Sequence, residues 1–325
     1  MVIGLCYDLQ DTYDISSNAV YKDFSFLSEV EYVETSLKKL GHRVILINGI
    51  EEFVKGILSY KHDCDIVFNM IEGYKTRNRE GLVPALCEAF DIPCTGTDAF
   101  GMSLSLNKYH MCQVVKSFDI KTPHSYLIDY PLDNSHYQIN HVLEYPCVIK
   151  PNHEGSGMGV VLAQSKDNLT EKIYFLSEMY KQQLVVEEYI AGMELSVGIL
   201  GCGSQARVYS CLEFLNKDGS NIELFDYECK YNTGFKSVAP RLGKDVLDDI
   251  CTKSLFIHKI MHFRDVSRID WRVNNNVPYF IEATPLPAFD IDSDFDIGSK
   301  LAGESFEIAL KRILLSALSR KNEEE

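Results

Sequence analysis

Tyr145-Pro-Cys-Val-Ile-Lys-Pro-Asn-His-Glu-Gly-Ser-Gly-Met-Gly-Val160 combines an apolar strand pattern with a glycine-rich loop. Cys147 to Ile149 is typical of a short buried strand, and Lys150 ends it. Glycines at 155, 157 and 159 let the backbone turn tightly and approach a ligand, and successive amides there form an anion-binding nest. Because a lysine beside such a nest supplies a point charge, the stretch predicts a phosphate-binding loop, with a plain turn as the alternative.

Composition limits the class of protein. The chain has 325 residues, 46% hydrophobic and 24% charged, which is typical of a globular protein with two or three domains. No run of about 18 apolar residues occurs, and Met1–Asp8 is typical of a strand instead of a secretory signal. A net charge of −15 argues against a surface for duplex nucleic acid. We therefore expect a cytoplasmic protein that binds neither nucleic acid nor membrane.

The cysteines indicate the same compartment. Ten occur without a Cys-x-x-Cys pair, and several, including Cys147 and Cys202, lie within apolar runs. The sequence therefore predicts buried free thiols in a reducing environment.

The first hundred residues alternate predicted strands and helices, as in an open α/β sheet with crossover helices. The predicted strands are Val2–Tyr7, Val44–Ile47 and Ile66–Asn69, and the predicted helices are Leu27–Leu40, Glu51–Tyr60 and Leu82–Phe90. A polar loop, Glu72 to Gly81, follows the third strand. It should lie at the carboxyl edge of the sheet, where ligands bind in such folds.

The later elements indicate antiparallel α+β units. The predicted helices are Ser103–Phe118, Leu169–Tyr180, Asp245–His262 and Phe306–Ser319. The predicted strands are Ser125–Ile128, Leu184–Glu188, Leu195–Leu200, Val208–Phe214, Ser267–Val273 and Tyr279–Ala283, of which the last two form a hairpin.

Two carboxylates on that last hairpin are candidate metal ligands. Asp270 and Glu282 have largely apolar neighbours, so each is either paired or holds a cation. Cross-strand partners lie about 5 Å apart, and two carboxylates with phosphate oxygens suit Mg²⁺. Salt bridges with Arg268 or Arg272 are the alternative, and the local sequence does not choose between them.

A second acidic stretch, Leu184 to Ser196, suits a nucleoside. Glu187 and Glu188 end an apolar strand, and Glu194 follows one short turn later. Such a stretch offers an acceptor for an exocyclic amine, backbone edges for a base and a carboxylate for ribose hydroxyls. A solvated strand end is the alternative.

Other motifs give less support. Aspartates at 290, 292, 294 and 296 resemble a calcium loop but lack its glycine and final glutamate. His258 and His262 share a helix face without an evident third zinc ligand. The P-loop, G-x-G-x-x-G and G-x-S-x-G patterns are all absent.

With these motifs in order, the chain resembles the ATP-grasp superfamily, most closely its D-alanine–D-alanine ligase branch, from about Asn69 to Phe289. The matching motifs are Ile92–Asp98 with Leu106–Lys108 (IPYTGS…DK), Cys147–Lys150 with Glu154–Gly159 (VVKP…EGSSxG), Leu184–Glu194 (EExIxGxE), Phe225–Tyr231 (YDYxxKY), and Arg268–Asp270 with Glu282 (RxDF…EVNxxPG). The resemblance implies an N-terminal open parallel α/β domain and two α+β subdomains that clamp ATP. We expect these at residues 1–105, 106–187 and 188–325.

The resemblance also implies residue roles. The ATP-binding set would be Lys108, Lys150, Glu154, Gly155, Ser156, Gly157, Gly159, Glu187, Glu188, Tyr189, Ile190, Glu194 and Lys230, with Glu187 at the adenine and Glu194 at the ribose. Arg268, Lys230, Tyr231 and Ser156 would lie at the reacting groups, and Asp270 and Glu282 would hold Mg²⁺. The family's Asn ligand falls at Thr284, a poor Mg²⁺ ligand, so one or two metal ions remain open.

The departures concern the substrates. The family's GGxSxE motif is absent, since Cys6–Asp11 stands in its place, and Asn69–Gly81 replaces its HGxxGEDG loop. The substrate-binding residues that we predict are Glu72, Arg77, Arg79, Arg268, Ala288 and Asp290. We therefore expect a substrate other than D-alanine.

The resulting prediction is an ADP-forming carboxylate–amine ligase that activates an amino-acid or peptide carboxylate as an acyl-phosphate. A true D-alanine–D-alanine ligase with a divergent substrate site, and an ATP-binding protein without turnover, are the alternatives. The family resemblance also implies a homodimer.

Overall fold

Three β-sheets organise residues 1–13, 24–74, 76–132 and 144–324, which the computed structural model describes. The strands are β1 Val2–Tyr7, β2 Arg43–Asn48, β3 Ile66–Asn69, β4 Ser125–Ile128, β5 Cys147–Pro151, β6 Val161–Ala163, β7 Leu184–Glu188, β8 Met193–Leu200, β9 Arg207–Asn216, β10 Phe235–Val238, β11 Val266–Asn274 and β12 Val277–Thr284. The α-helices are α1 Leu27–Lys39, α2 Gly49–Asp63, α3 Leu82–Phe90, α4 Ala99–Leu106, α5 Lys108–Lys116, α6 Lys166–Tyr180, α7 Lys244–Ile260, α8 Asp294–Leu301 and α9 Phe306–Glu324. The predicted mixed α/β class is confirmed.

The N-terminal sheet is parallel, in the order β2-β1-β3. Ile3 and Leu5 of β1 pack with α1 and α9 on one face, whereas Cys6 packs with α2 and α3 on the other. Successive side chains of a strand point to opposite faces, so a strand covered on both faces is apolar throughout. This is why β1 has a continuous apolar sequence.

The other two sheets are antiparallel. The order β4-β7-β5-β6 forms the smaller one, and α6 covers it with Leu169, Ile173 and Leu176. The order β10-β9-β8-β11-β12 forms the larger one, against which α5 and α7 pack. Trp271 of β11 is fully buried there and donates from Nε1 to the Ser254 hydroxyl at 2.9 Å.

One predicted helix is wrong in its extent. The pattern from Ser103 to Phe118 forms two helices, because Asn107 adopts an extended backbone between them. Its side chain caps α5 by accepting from the His110 amide at 3.0 Å. Lys108 thereby becomes the first residue of a helix. Strands β6 and β10, helix α8 and a π-helical turn at Glu228–Thr233 were not predicted.

All ten cysteines are free thiols, and six of them, including Cys147, are buried as expected. Cys202, which was also expected to be buried, is partly exposed. No helix in the described ranges is long and apolar enough to cross a membrane.

Asp265 joins the last helix to the rest of the chain. Its carboxylate is fully buried and accepts hydrogen bonds from the Gly96 amide at 2.9 Å and from the Ser316 hydroxyl at 2.7 Å. The Arg320 guanidinium of α9 completes the set of partners. Since a buried charge without a partner is costly, this ion pair should stabilise the docking of α9.

Arg320→Met should therefore lower the free energy of unfolding by about 3 kcal/mol, because it leaves the Asp265 carboxylate buried without its counter-charge. The matched control is Arg312→Met on the same helix. It removes a more exposed ion pair with Glu304 and should cost less than about 1 kcal/mol. Urea denaturation of the two variants measures both values, and equal losses would contradict the role of Asp265.

Candidate functional site

Two adjoining cavities lie where the three sheets meet. The larger, of about 650 Å³, is lined by Glu29 and Glu72 of the N-terminal domain and by Arg268 of β11. The smaller, of about 90 Å³, lies between the two antiparallel sheets. The side chains that line both are Lys108, Glu154, Phe225, Lys230 and Glu282. We call this shared set the junction.

Two cationic side chains, Lys108 and Lys230, belong to the junction, and a third, Lys150, lines the smaller cavity beside it. Lys108, placed by the start of α5, donates to Glu282 Oε2 at 3.0 Å. Lys150 at the end of β5 is buried and donates to Glu187 Oε1 at 2.6 Å. Burial opposes the charge of Lys150, but Glu187 more than compensates and raises the pKa of the Lys150 ammonium. Lys150 is therefore cationic at neutral pH.

Lys230 approaches the junction from the π-helical turn. Its ammonium lies 4.7 Å from the centroid of the Phe225 ring. Burial, followed by the charge of Arg268, lowers the pKa of the Lys230 ammonium. Burial alone would raise the pKa of the Glu282 carboxyl, but Lys108, Lys230 and further cations hold it well below its usual range. The junction is thus a place where anionic oxygens are stabilised.

Asp270 and Glu282 face each other across β11 and β12, as their strand positions predicted. Burial raises the pKa of Asp270, and Arg268, whose Nη2 lies 2.7 Å from Asp270 Oδ2, partly offsets this. Two adjacent carboxylates are the oxygen ligands that a small divalent cation prefers. Within the described part of the chain, no cluster of three or more His, Cys, Asp or Glu side chains could bind a metal.

Thr284 does not add a third ligand to the two carboxylates. It lies opposite Arg268 in the ladder, and its hydroxyl donates to the Leu286 carbonyl at 3.5 Å. The residues present therefore fit one cation held by two carboxylates, with its other ligands coming from a bound phosphate and water.

The glycine-rich loop packs against the segment that carries Lys230. Gly157 has φ +75°, and a Cβ there would lie 2.7 Å from the carbonyl carbon of Asp226 and 2.8 Å from the Tyr227 nitrogen. The Tyr227 amide donates to the Gly157 carbonyl at 3.1 Å. The hydroxyls of Ser156 and Tyr231 lie 3.1 Å apart. The loop thus lies over the junction, where only glycine allows so close a backbone approach.

The structure brings the predicted nucleoside residues together in the smaller cavity, which Glu187, Glu188, Tyr189, Ile190 and Glu194 all line. Glu194 is buried, and its main partner is Arg272 of β11. Burial raises the pKa of Glu194, against the charge of Arg272. Apolar side chains of Val148, Leu224 and Ile281 complete the wall, so the cavity suits a flat, apolar ring with polar edges.

The predicted substrate residues divide into two groups. Glu72, Arg268, Ala288 and Asp290 line the larger cavity. Arg77 and Arg79 line neither this cavity nor the smaller one, so the structure does not bring them together with the other predicted substrate residues.

The turn at 76–81 explains this difference. It directs Arg79 inward, where the side chain is 1% exposed and donates to the His153 carbonyl at 2.6 Å. Arg77 lines a separate surface hollow together with His110 and His153. Arg79 therefore has a structural contact to the segment that leads into the glycine-rich loop.

Sequence reasoning missed Glu29. It lies in the first turn of α1, is 6% exposed and lines the larger cavity. Its Oε1 accepts from the Phe289 amide at 2.7 Å, and burial raises the pKa of Glu29 to about 7. The sequence could have identified Glu29 by its position, because it lies on the same helix face as Val33 and Leu37, where an acidic residue is unexpected.

Comparison with known proteins identifies the family. The family model described as the D-ala D-ala ligase C-terminus matches residues 115–315. The D-alanine–D-alanine ligase of Maridesulfovibrio salexigens is 30% identical over 298 residues, which cover 91% of this chain and 94% of the relative. That of Aquifex aeolicus is 29% identical over 286 residues, which cover 87% and 92%.

Solved structures show the same fold. The D-alanine–D-alanine ligase from Bacillus anthracis complexed with ATP superposes with a TM-score of 0.79, at 19% identity and with full coverage of both chains. The VanG D-Ala:D-Ser ligase from Enterococcus faecalis gives a TM-score of 0.76 at 20% identity, covering 97% of this chain and 99% of that one. The chain therefore belongs to the D-alanine–D-alanine ligase family of the ATP-grasp superfamily.

Proposed function

We propose that the chain is an ATP-dependent, ADP-forming ligase that joins the carboxylate of one small amino-acid or peptide substrate to the amine of a second. The observation that carries this proposal is the junction. Lys108, Lys230 and Glu282 line both the smaller cavity, which suits a nucleoside, and the larger cavity. A triphosphate that extends from the smaller cavity would end where the larger one begins.

The nucleotide would use the smaller cavity. Glu187 and the backbone of Glu188 to Ile190 would face the adenine, and Glu194 would face the ribose. Lys108 and Lys150 would contact the phosphates, because Lys108 belongs to the junction and Lys150 lies beside it. A change of partner from carboxylate to phosphate would leave each lysine paired with an anion.

The chemistry follows from the position of the charges. ATP supplies the phosphoryl group that activates the substrate carboxylate, and an amine then displaces phosphate to form the amide. Arg268 and Lys230 would offset the negative charge that develops on the transferred group. The loop at Ser156 and Gly157, closed against Tyr227 and Tyr231, would exclude water from the activated carboxylate.

Asp270 and Glu282 would hold the magnesium ion. When bound, Mg²⁺ supplies Lewis-acid polarisation and charge neutralisation at the phosphates. The two carboxylates fit one ion, and the Thr284 hydroxyl, which bonds the Leu286 carbonyl, adds little to a second site. We therefore propose one protein-held Mg²⁺, with any further ion held mainly by the nucleotide.

D-alanine is the second candidate substrate, since the most similar relatives reported above are named D-alanine–D-alanine ligases. Against it stands the N-terminal segment, in which Cys6–Asp11 replaces the family's glutamate motif. We propose an acyl donor that Glu72, Ala288 and Asp290 contact from the walls of the larger cavity.

Several broader expectations remain proposals. The domains are proposed at residues 1–105, 106–187 and 188–325, although α5 packs on the five-stranded sheet and α9 on the parallel one. A homodimer, a cytoplasmic location and the absence of nucleic-acid partners are proposed on the family resemblance and the net charge of −15.

Lys150→Ala should reduce ADP formation at least a hundredfold, because it removes a buried cation beside the phosphates. The assay measures ADP release with a panel of D- and L-amino acids, and mass spectrometry identifies the amide. Lys166→Ala, an exposed lysine that begins α6, is the matched control and should retain full activity. Undiminished ADP formation in Lys150→Ala would contradict the proposed function.

Asp270→Asn should raise the MgCl₂ concentration needed for half-maximal ADP release and lower the maximal rate, because it replaces a charged oxygen ligand by a neutral one. The control Asp249→Asn removes a carboxylate from a partly exposed pair with Lys253, away from both cavities. An unchanged magnesium titration for Asp270→Asn would rule out the proposed metal site.

Gly157→Ala should lower amide formation at least tenfold and increase the share of ATP hydrolysed without product. The added methyl would meet the backbone of residues 226 and 227 and hold the loop open. Gly203→Ala is the matched control, since Gly203 also has a positive φ but no atom lies within 4 Å of the added Cβ. If the two variants form the same amount of amide per ATP hydrolysed, the loop does not keep water from the activated carboxylate.

A further inference from the structure

Carboxylates of the chain already surround Arg268, the guanidinium that lines the larger cavity. Its Nη2 lies 2.7 Å from Asp270 Oδ2 and 3.9 Å from Glu282 Oε1, and its Nε lies 3.7 Å from Asp294 Oδ2. If Asp270 and Glu282 hold a metal ion, Asp294 is the carboxylate that still pairs with Arg268. The Ser196 hydroxyl fixes Asp294 by donating to Oδ2 at 2.6 Å.

This arrangement opposes a substrate carboxylate at Arg268. Among the described residues, no other arginine lines the larger cavity, and eight carboxylate side chains line it against four cationic ones. Two of the eight pair with cations outside this lining, Glu80 with Arg79 and Asp292 with Lys300, and the other six still outnumber the four cations. Lys108 and Lys230 belong to the junction, where phosphates would bind. The remaining cation, Lys236, is exposed, so water screens its attraction for an anion. A carboxylate that remained on a bound substrate would therefore face mainly negative charge.

The part of the cavity wall that Glu29 and Asp290 form favours a cation. Glu29 is almost fully buried, and its carboxylate accepts hydrogen bonds from the Phe289 amide and from the Ser25 side chain. Asp290 lines the same cavity and adds a second negative charge nearby. A buried carboxylate is stabilised when an opposite charge reaches it. The aromatic side chains of Phe24 and Phe26 line the cavity beside Glu29 and would pack against a methylene chain.

We propose that the acceptor is a cationic amine without a free carboxylate, such as a diamine or an amino-acid amide. Asp294 excludes carboxylate-bearing acceptors from Arg268, and Glu29 binds the distal ammonium. This inference rests on the proposed ligase function. In the reaction, the neutral amine nitrogen attacks the acyl carbon, the bond from that carbon to the phosphate oxygen breaks, phosphate leaves, and the nitrogen loses one proton. No oxidation or reduction occurs.

The test separates activation of the donor from choice of the acceptor. The purified chain is incubated with MgATP, hydroxylamine and single D- or L-amino acids, and hydroxamate formation identifies a donor without any natural acceptor. No hydroxamate with any donor would count against the proposed ligase function itself. Once a donor is identified, lysine, lysinamide and cadaverine are compared as acceptors. All three have the same aminobutyl chain, but the free carboxylate of lysine is an amide in lysinamide and is absent from cadaverine.

Cadaverine and lysinamide should each exceed lysine at least tenfold in kcat/KM, with the amide product identified by mass spectrometry. Hydroxamate formation combined with equal or better use of lysine would overturn the proposal while leaving the ligase function intact. This comparison uses the unmodified protein, so it does not depend on the folding of any variant.

Two isosteric variants assign the residues. Asp294→Asn should raise the ratio of lysine to cadaverine kcat/KM at least tenfold, whereas Asp248→Asn, an exposed carboxylate that pairs with Lys244 and lines neither cavity, should leave that ratio unchanged. Glu29→Gln keeps an oxygen for the Phe289 amide and should raise the KM for cadaverine at least tenfold. If neither the ratio in Asp294→Asn nor the KM in Glu29→Gln changes, the assigned residues are wrong.

Discussion

Buried charge must be met by opposite charge, and this constraint sets the arrangement of the whole site. Lys150 is buried and Lys108 is partly buried, and each has a carboxylate partner. The Lys108–Glu282 pair connects α5 to β12 of the five-stranded sheet, whereas the Lys150–Glu187 pair joins the neighbouring strands β5 and β7 of the four-stranded sheet. The same pairs place the two ammonium groups beside the cavities, where they could donate hydrogen bonds to phosphate oxygens instead of carboxylates.

The sequence was sufficient to predict an element wherever the pattern of apolar residues matches the burial of that element in the fold. The alternation of strand and helix predicted the parallel sheet, and the hairpin predicted that Asp270 and Glu282 face each other, which the β11–β12 register confirms. The break at Asn107 was missed because the apolar pattern continues through it, while a side-chain cap overrides the pattern. Strand β6, with three residues, is too short to give a period, and β10 has two polar residues between its apolar ends, so it forms no apolar run.

The residues that line the larger cavity could be predicted less well, because their positions depend on tertiary packing. A loop residue such as Arg79 has no periodicity that says which way it points, and tertiary packing turned it towards the His153 carbonyl. Glu29 and Asp294 reach the larger cavity from segments far apart in sequence, so their proximity depends on how α1 and α8 pack around the sheets. Charge balance in that cavity is a property of the assembled fold.

Isotope transfer tests the central claim most directly, because an acyl-phosphate leaves an oxygen of the donor in the released phosphate. A donor labelled with ¹⁸O in its carboxylate is converted with MgATP and an amine, and the inorganic phosphate is analysed by mass spectrometry. One ¹⁸O atom per phosphate formed is the result that the account predicts. Phosphate without label, formed together with the amide, would contradict activation of the carboxylate by phosphoryl transfer.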